Sequence, residues 1–492
     1  MPQSVRSARR PEPRAPSSRR APPATTPRHP EGQEPWSPTS WRGRPLAQEV
    51  AYDDAAALER AVEQLRALPP LVTSWEVERL RQHIAEAQRG ERFVLQGGDC
   101  AEMLTECRPE IIANKLKILL QMSLVLVQGS LKPIVRIGRM AGQYAKPRSK
   151  PLETRPGPDG QPLTLPSYFG DLVNRAEFSA EARRADPQLL LAGYQHAALT
   201  LNFIRSLSEG GFADLHHPEQ WDLEFLDRAD LSEETQADYR LASTRLVEAL
   251  RFMEAIGETS VAELTRIEFF TSHEGLNLHY ESAQTRNVPR RPGWYDLTTH
   301  MPWIGERTRQ LDGAHVEFFR GVQNPVGVKI GPSTAPDDVL RLLERLNPEG
   351  EEGKIILIAR MGVKRVREAL PTLAEAVGRE GTPVLWMCDP MHGNTVSTSS
   401  GLKTRDFDDI LGEIEHSFDI HEAAGGHLGG VHFELTGEDV TECIGGGLSE
   451  NDLDRNYATE CDPRLNYRQA LEMAFCVADR MRPRGSLPRR LL

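Results

Sequence analysis

Residues 326–360 read VGVKIGPSTAPDDVLRLLERLNPEGEEGKIILIAR. The stretch opens on an apolar run, Val326-Gly327-Val328-Lys329, that ends in a charge, and it closes on a second run, residues 355–359, followed by Arg360. Between them residues 337–346 carry helical periodicity, so the order is strand, helix, strand. The same pattern repeats outward in both directions. Residues 92–96 (RFVLQ), 134–137 (IVRI), 267–270 (IEFF), 301–304 (MPWI), 384–387 (VLWM) and 431–434 (VHFE) are further short apolar runs, which brings the total to eight. Helical segments such as 366–380 lie between most of them. Alternating strand and helix predicts an α/β protein, and eight units predict a (β/α)8 TIM barrel enlarged beyond the usual ~250 residues. Additional helices are expected at the N-terminus and between strands two and three.

Polar chemistry follows each run: Gly97-Gly98-Asp99-Cys100, Gly138-Arg139, Ser272-His273-Glu274, Gly305-Glu306-Arg307, Lys329, Arg360, Asp389-Pro390-Met391-His392 and Glu434. In a parallel barrel all eight C-terminal ends meet on one face, where such enzymes keep their active site. The residues that can do chemistry therefore converge. Before the first run, Asp53 and Asp54 can cap a helix with Leu58, Val62 and Leu65 on one face, ended by Pro69 and Pro70; residues 75–87 suggest a second. The interval between runs two and three, about 146–266, exceeds one crossover. Residues 151–167 are turn-rich, whereas 180–207 and 232–256 read as amphipathic helices outside the barrel, for packing, oligomer contact or a partner surface.

The first 45 residues are different material. They hold 11 Pro, 9 Arg and 3 Glu with hardly any aliphatic side chains, too little apolar surface to offset the entropy of ordering them. We read them as a disordered tail, and residues 46–492 as a single catalytic domain. Nine Arg against three Glu give the tail +6, so the body carries −18 of the net −12. An acidic body argues against nucleic acid as a partner. No run approaches the ~18–20 apolar residues of a membrane span. The tail lacks an apolar h-region, and its prolines oppose the amphipathic helix of an organellar transit peptide, so a cytoplasmic location is expected. Six cysteines in 492 residues are too sparse for a disulfide scaffold and fit a reducing compartment.

Two constellations stand out once the barrel is assumed. Cys100, His392 and Glu434 fall at the ends of strands one, seven and eight, which closure makes neighbours, and Asp462 follows in the next loop. One thiolate, one imidazole and two carboxylates suit a divalent transition ion such as Mn, Co, Fe or Zn better than Ca or Mg. An all-Cys/His set would instead suggest a closed structural zinc site. The second constellation is cationic: Arg139, Lys146, Arg148, Arg307, Lys329 and Arg360. Lys329 and Arg360 sit directly on apolar strands, where an unpaired charge is costly, and Arg and Lys are the groups that bind phosphate. Arg307, Lys329 and Arg360 form one expected cluster and residues 139–149 another, which suggests a substrate pair with two anionic ends.

With these residues assembled, the chain closely resembles the type II (plant-like) 3-deoxy-D-arabino-heptulosonate 7-phosphate (DAHP) synthases. The matching stretches are FVLQGGDCAEM, RMAGQYAKPRS, FFTSHEGLNLHYE, WIGERTRQLDGAHVEFFRGVQNPVGVKIGP, ARMG, CDPMHGNT, GVHFELTGEDVTECIGG and ECDPRLN, spread from about residue 46 to the C-terminus. The resemblance implies a metal-dependent condensation of phosphoenolpyruvate with erythrose 4-phosphate at the head of the shikimate pathway. It implies Cys100, His392, Glu434 and Asp462 as metal ligands, for Mn or Co first and Fe, Zn or Cd as alternatives. It implies Arg139, Glu306, Arg307, Lys329 and Arg360 for phosphoenolpyruvate, Lys146 and Ser149 for the sugar phosphate, and Glu274 and Trp303 at the active site. Lys329, Glu306 and Glu274 are the candidates for moving protons. A homodimer or homotetramer, and a chorismate mutase partner, are further expectations. The alternatives are an imino-sugar phosphate acceptor and, in another class, a silent partner-binding barrel.

Overall fold

In the computed structural model, which describes residues 35–157, 160–209, 236, 237, 240, 244 and 268–482, every apolar run becomes a buried strand. They are β1 (Phe93–Gly98), β2 (Ile134–Arg139), β3 (Phe270–Glu274), β4 (Met301–Ile304), β5 (Val326–Ile330), β6 (Ile355–Ala359), β7 (Leu385–Cys388) and β8 (Gly430–Glu434). Each pairs in parallel with its sequence neighbours, and β8 pairs with β1 to close the ring. The (β/α)8 expectation holds. The third strand begins three residues later than its run suggested. Ser272, His273 and Glu274 are thus in the strand rather than after it, because pairing with Met301, Pro302 and Trp303 of β4 sets the register there.

Strand periodicity positions the chemistry. Residues two apart share a face, so Val135 and Ile137 lead to Arg139, Phe270 and Ser272 to Glu274, Ile356 and Ile358 to Arg360, and Leu385 and Met387 to Asp389. The lower residues form a dry core with Val94, Met301 and Trp303, plugged by Leu80 and Ile84. The charged side chains of the mouth lie above it.

The outer elements have local causes. Helix α1 (Ala55–Ala67) is capped by Asp54, whose side chain accepts from the Ala57 N–H at 2.8 Å, and it buries Leu58, Val62 and Leu65 as expected. Helix α2 (Ser74–Gln88) starts on a Thr73/Glu76 capping box. Helix α3 (Pro109–Ser130) is buried along most of its length, and with α8 (Tyr467–Met481) it builds the largest apolar cluster. Helices α5 (Pro336–Leu346), α6 (Val366–Glu380) and α7 (Phe407–Ala423) cover the strands between.

Three parts of the sequence reading change. Within 151–167, Leu152–Pro156 and Pro162–Pro166 pair as antiparallel strands beside the barrel mouth. Helix α4 (Gln188–Glu209) begins eight residues later than residue 180. Pro187 suits a helix start, and the buried Arg183 guanidinium ties the preceding turn to the carbonyls of Ala176, Glu177 and Pro166. Of the expected helix at 232–256 only residues 236, 237, 240 and 244 are described, each of them helical; the rest of it, like residues 1–34, lies outside the described residues. The described residues from 37 onward form one compact unit. It reaches back before residue 46, with Trp41 buried in a 3-10 turn (Ser40–Gly43) and the Pro45 carbonyl accepting from Ala314. No helix among the described residues is long and apolar enough to cross a membrane.

Candidate active site

The top of β1 is where the site begins. Gly98 pairs with both Arg139 and Glu434, and at φ +146° a Cβ there would lie 2.6 Å from the Arg139 carbonyl oxygen. Only glycine lets β1 run this close before turning Asp99 and Cys100 into the mouth. Gly98→Ala should therefore destabilise the protein by about 1–3 kcal/mol and loosen Cys100; a melting temperature equal to the parent's would refute this. On the opposite side, the Leu465 N–H donates to the Glu434 carbonyl and that of Thr436 to Leu465, which brings Asp462 back over the barrel.

Cys100, Glu434 and Asp462 consequently present one sulfur and two carboxylate oxygens within 4.8 Å of one another. His392 joins through Nε2, 3.1 Å from Glu434 Oε1. Its Nδ1 donates to Asp389 Oδ2 at 2.8 Å, an outer carboxylate that orients the ring. The donors fit a divalent transition ion. Burial pushes the Glu434 carboxyl upward, but His392, Arg405 and Arg139 outweigh it and hold the group well below the usual range. Burial likewise opposes Asp462, and Lys146, Arg405 and Lys403 overcome it. Burial drives the Cys100 thiol well above its normal range, so a strong cation is needed to make it a thiolate.

Around these donors lies a cavity of about 920 Å³ lined by eight Lys or Arg and four Asp or Glu side chains. In a chain of net charge −12 such a lining selects anions. Arg139 and Lys329 lie over the Trp303 ring, 5.2 and 5.9 Å from its centroid. Arg360 donates to Glu306 at 2.6 Å and to the His392 carbonyl at 3.0 Å. Glu274 lines the cavity; its Oε1 is buried with no hydrogen-bond partner among the described residues, and burial raises its carboxyl.

Burial also lowers Lys329 to about 8, although it pairs with Asp389. If its charge holds a substrate anion, that anion's KM should rise as pH climbs through about 8, since the ammonium is lost there. Lys329→Arg should remove this alkaline limb, and a profile that is the same in both proteins would exclude Lys329 as its source.

A family model described as the class-II DAHP synthetase family matches residues 36–478. The chain belongs to this family. Two relatives, each named phospho-2-dehydro-3-deoxyheptonate aldolase, match nearly end to end. The Neurospora crassa protein is 48% identical over 91% of this chain and 94% of its own length. The Streptomyces coelicolor protein is 47% identical over 90% of this chain and 97% of its own. A solved structure of the same name from Francisella tularensis SCHU S4 covers 88% of this chain and 97% of its own at 14% identity and a TM-score of 0.45, too remote to add to the topology.

For this class-II DAHP synthetase family member, the cavity lining includes Cys100, Arg139, Lys146, Ser149, Glu274, Trp303, Glu306, Arg307, Lys329, Arg360, His392 and Asp462, with Glu434 at its base. Two of them have unexpected neighbours. Lys146 sits deeper than a sugar-phosphate residue would suggest, with Nζ 2.6 Å from Cys100 Sγ and 2.7 Å from Asp462. Arg307 donates to Ser149 at 2.8 Å, so it bridges the two expected anion clusters rather than belonging to one.

Several residues escaped the sequence reading. Arg405 is fully buried and donates to Glu434 Oε2 at 2.7 Å. Lys403 reaches Asp462 Oδ1 at 2.8 Å from a short hairpin. Neither has a local signal, because the partner is decades of residues away. Asp389 did have one: a carboxylate three residues before a ligand-type His, in DPMH, is the spacing of an orienting partner.

Proposed function

We propose that the chain joins phosphoenolpyruvate to erythrose 4-phosphate, with water, to give DAHP and inorganic phosphate. The observation that carries this reading is the cationic cavity with one sulfur and three O/N donors at its floor in a member of the class-II DAHP synthetase family. Cys100, His392, Glu434 and Asp462 would hold a divalent ion, whose chemistry there is Lewis-acid polarisation of the acceptor's carbonyl oxygen.

The remaining roles belong to the chain itself. Arg139, Lys329 and Arg360 take the phosphate and carboxylate of phosphoenolpyruvate, and Trp303 supports the first two from below. Ser149 and Arg307, joined by their hydrogen bond, take the acceptor's phosphate with Lys146. Holding both substrates in line lowers the barrier by removing translational and rotational freedom before the bond forms. C3 of phosphoenolpyruvate then bonds to the acceptor's C1, water adds at C2, and phosphate leaves from C2. Glu274, whose carboxyl is raised by burial and whose Oε1 has no partner among the described residues, supplies a proton on the acceptor side. Glu306, which accepts a hydrogen bond from Arg360, takes one from water, and Lys329 protonates the leaving phosphate.

Phosphate release from the purified protein, measured with both substrates and with each omitted, tests this. Release without the sugar phosphate, or none with both after metal addition, would overturn it. All six cysteines are free, which supports a cytoplasmic setting; we read the working form as a homo-oligomer, checked by light scattering.

A further inference from the structure

The middle of the barrel lumen holds three polar side chains that the reaction above does not use. Gln96 on β1, Ser272 on β3 and His432 on β8 are each completely buried, between the apolar floor and the charged mouth. Buried polar groups at this depth persist only when every partner is supplied. They form one chain. Ser272 Oγ donates to the Gly138 carbonyl at 3.3 Å, Gln96 Nε2 donates to Ser272 Oγ at 2.9 Å, and Gln96 Oε1 lies 2.6 Å from His432 Nδ1. The other imidazole nitrogen, Nε2, lies 2.6 Å from Arg139 Nη1.

The direction of this chain is forced. A guanidinium only donates, so His432 Nε2 must accept. A neutral ring then carries its proton on Nδ1, and Gln96 must turn its oxygen toward it. Flipping the Gln96 amide would face an N–H against an N–H. At the far end, Arg139 donates through Nε to the Asp99 carbonyl at 3.0 Å, and through Nη2 to the Cys100 carbonyl at 3.2 Å and to Glu434 at 2.9 Å. With the bond to His432, four of its five N–H donors are engaged. The donor left for the cavity is on Nη1, the nitrogen that His432 grips.

We propose that His432, set by Gln96 and Ser272, is a positioning residue that aims the last N–H of Arg139 at the substrate anion. The claim rests on the reading above that Arg139 receives phosphoenolpyruvate. Without His432, the guanidinium keeps its charge and three bonds but loses the contact that fixes rotation of Nη1, so phosphoenolpyruvate binding weakens while the acceptor's does not.

Four single variants, one double variant and one spectrum test it on the full-length, metal-loaded enzyme. His432→Phe should raise the KM for phosphoenolpyruvate about tenfold or more, the scale of a hydrogen bond to a charged group, and leave that for erythrose 4-phosphate within about twofold. His432→Gln, whose Oε1 can accept from Arg139, should restore most of the loss. Gln96→Leu should act in the same direction as His432→Phe. Arg139→Gln should raise the same KM, and His432→Phe added to it should cost nothing more. An unchanged KM in His432→Phe, equal effects on both substrates, or an additive double variant overturns the positioning role. An unchanged KM in Arg139→Gln overturns the anion-site reading instead. Should the position 432 variants fail to fold, imidazole ¹⁵N shifts of the parent protein decide the geometry. They should show Nδ1 protonated and Nε2 bare, and the reverse tautomer refutes the chain.

Discussion

Glu434→Gln is expected to abolish metal binding and to lower the protein's stability by several kcal/mol. The carboxylate is completely buried between Arg139, 2.9 Å away, and Arg405, 2.7 Å away, with His392 Nε2 at 3.1 Å. An amide has nearly the same shape, so little packing is lost. The charge is lost, and two buried guanidinium groups are left without their shared counter-ion. Breaking a buried pair from one side costs about 3–5 kcal/mol, against a typical total of about 5–15 kcal/mol. The substitution also deletes an anionic donor from the set within 4.8 Å. We expect metal content below a tenth of the parent's and a melting temperature lower by several degrees even in the metal-free protein. The second measurement separates the two effects: a metal-free melting temperature equal to the parent's would mean that Glu434 acts only as a ligand.

Lys329→Met should have the opposite profile, a large loss of turnover with little loss of fold. The ammonium is buried, and burial has already lowered it to about 8, which marks a cation held at a cost. Its partner Asp389 keeps three other donors, the N–H groups of Met391 and His392 and the His392 ring. The aspartate is therefore not orphaned when Lys329 goes. Methionine fills the stem volume on a strand that is otherwise apolar. A residue that both binds an anion and moves a proton is worth about 10²–10⁴ in rate, so kcat/KM for phosphoenolpyruvate should fall by that factor while the melting temperature stays within about two degrees, a shift worth about 2 kcal/mol at most in a chain of this size. A melting temperature that falls with the activity would show that Lys329 serves the barrel rather than the reaction.

Much of this architecture was legible in the sequence because it is encoded locally. An apolar run such as residues 355–359 has one comfortable environment, a strand covered on both sides, and eight of them in alternation with helices close in one way. In a parallel barrel the C-terminal ends of all eight runs meet on one face, which is why Arg139, Glu274, Lys329, Arg360 and Glu434, at or just past those ends, could be placed on one rim from the sequence. The third strand slipped by three residues because residues 267–270 are as apolar as a strand, and only pairing with β4 sets where it starts. The hairpin at 152–166 was read as turns because prolines sit at Pro156, Pro162 and Pro166, where an exposed two-stranded ribbon tolerates them.

Sequence alone determined the barrel, the family and the identity of the chemical groups at its mouth, since each depends on spacing and residue type within short stretches. The tertiary structure decided how those groups are paired. Arg405 beside Glu434, Lys146 between Cys100 and Asp462, and the chain from Ser272 through His432 to Arg139 all join residues far apart in sequence. The reason is physical: a buried charge or lone pair must find a partner somewhere in the fold, and only closing the ring settles which one lies within reach.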